Sequence, residues 1–171
     1  MPQPTALPLD APHLPDWQVD TWLNAPQPLS LASLRGRVVL LHAFQMLCPA
    51  CVAHGLPQAQ RVHQALAGPE LAVVGLHTVF EHHAAMNPAS LRAFVHEYRW
   101  SFPIGIDQPD GHGGPSQTMA RYGLRGTPSQ LVLDRDGRVA LHHLGPIDDL
   151  TLGATLGRLL SQGVGAPRAP A

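Results

Sequence analysis

An apolar run, Val38 to Phe44, leads into the chain's only two cysteines, Cys48 and Cys51, with Pro49 and Ala50 between them. A near-continuous apolar run of this length suits a strand buried on both faces, as in a central parallel sheet, and it is expected over 37–45. The residues after it read as a helix over 49–66, with Pro49 at the first helical position, where its missing N–H costs nothing. The thiols therefore sit where a buried strand stops and a helix starts. Peptide N–H groups in the first turn of a helix are unpaired and carry partial positive charge. A thiolate placed there is stabilised, which is what a reactive cysteine needs.

Two cysteines this close cannot make the framework of a disulfide-stapled secreted protein. They make a catalytic or a metal-binding pair. The length, 171 residues, suits one domain with extensions and a sizeable core. The net charge of -1 leaves no basic footprint for nucleic acid. Eleven histidines match eleven Lys and Arg, so the chain turns clearly positive below about pH 6.5. No stretch of about 20 apolar residues is present to span a membrane. The N-terminus has neither a basic segment nor an apolar one, so it does not read as a secretory signal, and a cytoplasmic location is expected.

Read in order, residues 1–15 are Pro-rich and form an extended arm, 16–162 one folded domain, and 163–171 a frayed tail. Trp17 and Trp22 flank Val19 in a short expected strand, and Leu29 to Gly36 reads as a helical turn closed by Gly36. The helix after the cysteines stops at Gly68-Pro69, and Leu71 to His77 is the second core strand. Strand, helix and strand make a unit with a right-handed parallel crossover. Asn87-Pro88 opens a helix to about Arg99, with Leu91, Phe94, Val95 and Tyr98 as its core face. A strand over 102–106, a loop and a short helix over 116–122 follow. Ser129 to Leu133, the turn Asp134 to Gly137 and Arg138 to His143 form a hairpin. The last helix runs from Asp148 to about Gln162, with Leu150, Leu152, Leu156, Leu159 and Leu160 as apolar positions.

This order, with Gly126-Thr127-Pro128-Ser129 about 75 residues after Cys51, resembles the thioredoxin superfamily. More narrowly, Trp22-Leu23-Asn24 through Val38-Val39-Leu40-Leu41, Val74-Gly75-Leu76-His77-Thr78 and Tyr122-Gly123-Leu124-Arg125-Gly126-Thr127-Pro128 resemble its TlpA/redoxin branch. The resemblance implies an α/β thioredoxin fold, three layers α/β/α around a central mixed sheet, with an N-terminal extension and a central insert over residues 79–123. It implies a thiol–disulfide oxidoreductase that needs no cofactor beyond a redox-active Cys48–Cys51 disulfide. Its partners would be a protein or small thiol substrate and a second redox protein. It also implies that Pro128 is a cis-proline against the cysteines and turns the Thr127 backbone toward an incoming peptide, with Pro49 and Ala50 lining the same surface.

Departures from the family pattern are informative. His42 stands six residues before Cys48, where the family usually carries a buried acid that moves protons. Leu47 replaces a frequent Trp, and Ala43 and Met46 occupy the positions of a peroxiredoxin's Pro and Thr. At the helix start Cys48 is the expected nucleophile, and Cys51, one turn in, the resolving thiol. His42 is either a satisfied core histidine or the acceptor of the Cys51 proton. Burial should lower its pKa from about 6.5 and leave it neutral at pH 7, near enough to neutrality to work as a base. His77, Glu81, His82, His83 and His112 match no known metal spacing, and a zinc site on the cysteines with His42 and His54 is disfavoured; no metal is assigned. His142 and His143 should point to opposite faces, one buried and one exposed. Trp100, after the insert helix, could rim the active site. Two alternatives stay open beside the oxidoreductase: a redoxin-like thiol peroxidase with antioxidant activity, and a non-catalytic binding module of the same fold.

Overall fold

The computed structural model describes residues 13–163. The expected arm and tail therefore lie mostly outside the described residues. The end of the arm packs: His13 bridges to Arg138, and the Pro15 carbonyl accepts a hydrogen bond from the Tyr122 hydroxyl at 2.7 Å.

Six strands form one sheet: β1 (Val19–Leu23), β2 (Val38–Phe44), β3 (Leu71–His77), β4 (Ile104–Asp107), β5 (Ser129–Leu133) and β6 (Val139–Leu144). Their order across the sheet is β1-β4-β3-β2-β5-β6. β2, β3 and β4 run parallel, while β1, β5 and β6 pair antiparallel at the two edges. Every residue of β2 and β3 is buried, as the continuous apolar runs require of central strands covered on both faces.

The strand period divides the core in two. Val38, Leu40 and Phe44 face one side, with Leu56 and Ala59 of α1 (Leu56–Leu66), Leu91 and Val95 of α2 (Pro88–Tyr98), and Leu152, Leu156 and Leu159 of α4 (Asp149–Leu160). Val39, Leu41 and Ala43 face the other, with Trp17, Leu34 and Met119 of the short α3 (Gln117–Arg121). Phe44 and Phe102, both fully buried, fill the first side. Truncating such a phenylalanine to alanine costs about 3–5 kcal/mol. Asp107 ends β4 and accepts the Thr118 and Met119 N–H groups, holding the start of α3. Burial raises its pKa despite those bonds.

Several details differ from the sequence reading. The helix after the cysteines opens at Pro49 as expected but is not regular along its length: Cys51–Gly55 form a π-turn, and α-geometry resumes at Leu56. Pro57 supplies the cause, because its ring would clash with the Ala53 carbonyl and it has no N–H to donate to it; the wider turn avoids both. Tyr98 is 51% exposed instead of in the core, stacking on Trp100 at the helix end. Leu150 is 85% exposed, since the capping Asp148 places it in the first, outward turn of α4. His143 is buried as one of the pair must be, but His142 is half-buried, not exposed. The strand expected over 102–106 starts at Ile104.

Candidate active site

β2 stops at Phe44, and the chain turns through Gln45, Met46 and Leu47 to Cys48. The Cys48 N–H donates to the Gln45 carbonyl at 3.1 Å, and the Val52 N–H to the Cys48 carbonyl at 3.0 Å. Cys48 thus stands just before the helix, where a capping residue stands. Its sulfur accepts the Cys51 N–H at 3.3 Å, in the manner of a serine oxygen at an N-cap. On its other side the Cys48 thiol faces the Thr127 carbonyl oxygen, 3.4 Å away. Cys48 is partly exposed and Cys51 fully buried, and both are free thiols. Burial first, and the contact with Cys48 second, push the Cys51 thiol up to about 12.

Thr127–Pro128 is a cis peptide, and Pro128 is buried at the start of β5. Ser129 Oγ donates to the Gly126 carbonyl at 2.7 Å and holds the approach to that bond. Pro49 and Leu47 are exposed beside the thiol, and Ala50 is half-buried. Cys48, Thr127, Pro128 and the turn of Pro49 and Ala50 therefore meet at one end of the sheet, the C-terminal end of the parallel strands.

His42 lies fully buried in β2, on the face that carries Phe44, whose ring stacks parallel to it at 6.0 Å. Neither ring nitrogen has a hydrogen-bond partner. Desolvation takes its pKa down to about 4, further than the near-neutral value expected from the sequence, because no group compensates the charge. The ring presses on Gly55: a Cβ there would lie 2.3 Å from His42 Cε1. Gly55 is thus the one position in the π-turn where a side chain cannot fit. A glycine inside a helical pattern was the available sequence signal for it.

Three glutamines were not foreseen. Gln45 accepts the Phe80 N–H at 3.0 Å and donates to Glu81 at 3.3 Å, tying the loop after β3 to the turn that carries Cys48. Gln130 stands opposite His42 in the β2–β5 register and donates to Gln58 at 2.8 Å. Nothing in their spacing marks them, since their meeting depends on strand register and helix packing. The other histidines do not gather. His77 is buried against Phe44, His83 meets the Gly113 carbonyl, and His54, His82 and His112 are exposed. Among the described residues no group of three or more His, Cys, Asp or Glu could hold a metal ion. Trp100 does not rim the thiol. Its neighbour Ser101 is bonded to Gln60, nine residues down the helix from Cys51, about 14 Å away at 1.5 Å per residue.

Residues 12–142 match the AhpC/TSA family. The chain belongs to that family. Within it the chain is a thioredoxin-like protein of the redoxin type, and its fold is the thioredoxin fold. The crystal structure of a thioredoxin-like superfamily protein is 52% identical and superposes at a TM-score of 0.85, covering 91% of this chain and 99% of the other. A thiol-disulfide isomerase from Corynebacterium glutamicum is 45% identical with a TM-score of 0.83, covering 90% of this chain and 98% of the other. Protein DipZ of Mycobacterium tuberculosis is 31% identical over 120 residues, which is 69% of this chain and 16% of DipZ. This AhpC/TSA chain thus spans only a small part of that relative. No helix among its described residues is long and apolar enough to cross a membrane.

Proposed function

We propose that the chain exchanges disulfides through Cys48 and Cys51. One observation carries the reading: the Cys48 sulfur sits half-exposed at the helix start, between the Cys51 N–H and the Thr127 carbonyl, with Cys51 buried behind it. The 45% identity to a thiol-disulfide isomerase across 90% of the chain supports it. The Cys48 thiolate attacks a substrate disulfide, one substrate sulfur leaves as a thiolate, and a mixed disulfide forms. Cys51 then bonds to Cys48, the second substrate sulfur leaves, and the Cys51 proton passes to His42. With its thiol near 12, Cys51 holds that proton until its sulfur begins to bond to Cys48. The substrate peptide lies along the Thr127 backbone and against Pro128, Pro49 and Ala50. The reaction needs no cofactor and draws on a second redox protein. A cytoplasmic site of action belongs to the same proposal, and cell fractionation decides it.

The test is insulin reduction by the wild type and two variants. Cys48→Ser should abolish turnover, and Cys51→Ser should accumulate a mixed disulfide. Iodoacetamide should label Cys48 far faster than the buried Cys51; equal rates would remove the assignment. The potential of the pair against glutathione sets the direction of transfer.

The match to the AhpC/TSA family favours a second reading, a thiol peroxidase with Cys48 as the attacking sulfur. Against it, Ala43 and Met46 on the approach to Cys48 are both buried and offer no hydroxyl to a peroxide. Peroxide consumption without insulin reduction would select that reading.

A further inference from the structure

We infer that the cleft between the start of α1 and the start of α4 is the solvent route to His42, with Gly55 as its open wall and Gln130 and Gln58 as its polar lining. The inference rests on the reading of His42 as the proton acceptor of Cys51.

Three buried polar atoms without partners point to it: both ring nitrogens of His42 and Oε1 of Gln130. The two residues are directly paired between β2 and β5. Each sits two positions from a residue of the same core side, Phe44 and Val132, so their side chains leave the sheet on one face. Buried polar groups are almost always satisfied, by protein or by water, so a cluster of orphans marks a place that water reaches.

From there a hydrogen-bond chain runs outward. Gln130 Nε2 donates to Gln58 Oε1 at 2.8 Å. Gln58 Nε2 donates to Asp149 Oδ1 at 2.7 Å and to the Ile147 carbonyl at 2.9 Å. Asp149 is exposed and holds Arg61 at 3.1 Å. A cleft of about 290 Å³ follows this chain, lined by Gly55, Gln58, Gln130, Ile147 and Asp149. At about 30 Å³ of liquid volume per molecule it has room for several waters.

Gly55 supplies the last step. A Cβ on Gly55 would lie 2.7 Å from His42 Nε2 and 2.3 Å from its Cε1, so the ring packs directly against the glycine, which itself lines the cleft. A bare Cα lets the ring reach the wall of the cleft, and any other residue would push it away. Cleft water that reaches the ring hydrates the imidazolium as it forms, which opposes the desolvation that disfavours the charged ring.

During resolution Cys51 gives its proton to His42 as its sulfur bonds to Cys48 and the substrate leaves as a thiolate. The imidazolium then hands one proton to water in the cleft, and the proton reaches bulk solvent past Asp149. The glutamines cannot ionise, so they orient the water and hold no charge; they are positioning residues.

The experiment follows the His42 ring N–H by NMR in the full-length reduced protein and measures its exchange with water, beside the resolution rate of the mixed disulfide. Gln58→Met and Gln130→Met keep the volume and remove the polarity. Each should slow the ring exchange tenfold or more, while Cys48 alkylation stays within twofold of the wild type. Exchange unchanged in both variants would overturn the route, even if His42→Ala slows resolution. Slowed exchange with His42→Ala resolving at the wild-type rate would leave the route standing and overturn the reading of His42. Should Gln130→Met not fold, Gln58→Met decides alone, because Gln58 lies on α1 and not in the central sheet.

Discussion

His42 is a polar ring in a strand whose seven residues are all buried, with Gly75 and Gln130 paired on either side. Burial makes it neutral at pH 7, and a neutral imidazole can take a proton without first losing one. His42→Ala should slow resolution of the mixed disulfide by roughly ten- to a hundredfold. Attack by Cys48 should stay unchanged, since the Cys51 N–H and Thr127, not His42, hold its sulfur. Stopped-flow kinetics from about pH 4 to 9 check this. The wild-type resolution rate should fall with an inflection below the about 6.5 of a free imidazole, and the variant should show none. Identical profiles would make His42 a packing residue only.

At the scale of elements, the π-turn Cys51–Gly55 decides how close the helix comes to β2. It links the resolving cysteine to the glycine that His42 touches. Gly55→Ala pushes a methyl to within 2.3 Å of the His42 ring. Such overpacking costs about 1–3 kcal/mol. His42→Ala removes the ring that the methyl meets. The double variant should therefore be more stable than the sum of the two single effects predicts, by about 1 kcal/mol or more. Urea denaturation of the four proteins measures the coupling. Strict additivity would mean that the ring and the turn do not touch in solution.

For the molecule as a whole, the histidines make stability depend on pH. Burial holds both His42 and His77 at about 4 in the folded state, against about 6.5 when unfolded. Between those values the unfolded chain binds protons that the folded chain refuses, so unfolding becomes easier as pH falls. The contribution is fully present above about pH 6.5, is lost progressively down to about pH 4, and levels off below. Each histidine accounts for about 1.4 kcal/mol per pH unit within that window. The urea midpoint should drop steeply from pH 6.5 to 4 in the wild type. A His42→Ala, His77→Gln double variant should show a much flatter slope. A midpoint independent of pH in the wild type would contradict the burial of both rings.

Much of this was legible in local signals. The runs Val38–Phe44 and Leu71–His77 could be read as central strands because covering both faces leaves no room for polar alternation. Asn87-Pro88 announced α2, because cap chemistry is local: the Asn87 side chain accepts the Ala89 and Ser90 N–H groups. The C-x-x-C and the distant Thr-Pro could be matched by resemblance, and the structure sets the Cys48 sulfur 3.4 Å from the Thr127 carbonyl. Exposure at helix ends was not legible. Tyr98 and Leu150 fit the helical period, yet the period says nothing of where the neighbouring surface stops. Nor was the setting of His42. Its depth followed from the strand, but its lack of partners, the glycine beneath it and the Gln130–Gln58 chain beside it depend on the β2–β5 register and on α1 and α4 meeting. Those contacts join residues 72 to 91 positions apart. Local propensity and spacing determined which elements form and where the thiols stand. Only the packing of distant elements decided what surrounds them, because burial and hydrogen-bond satisfaction are properties of neighbours in space.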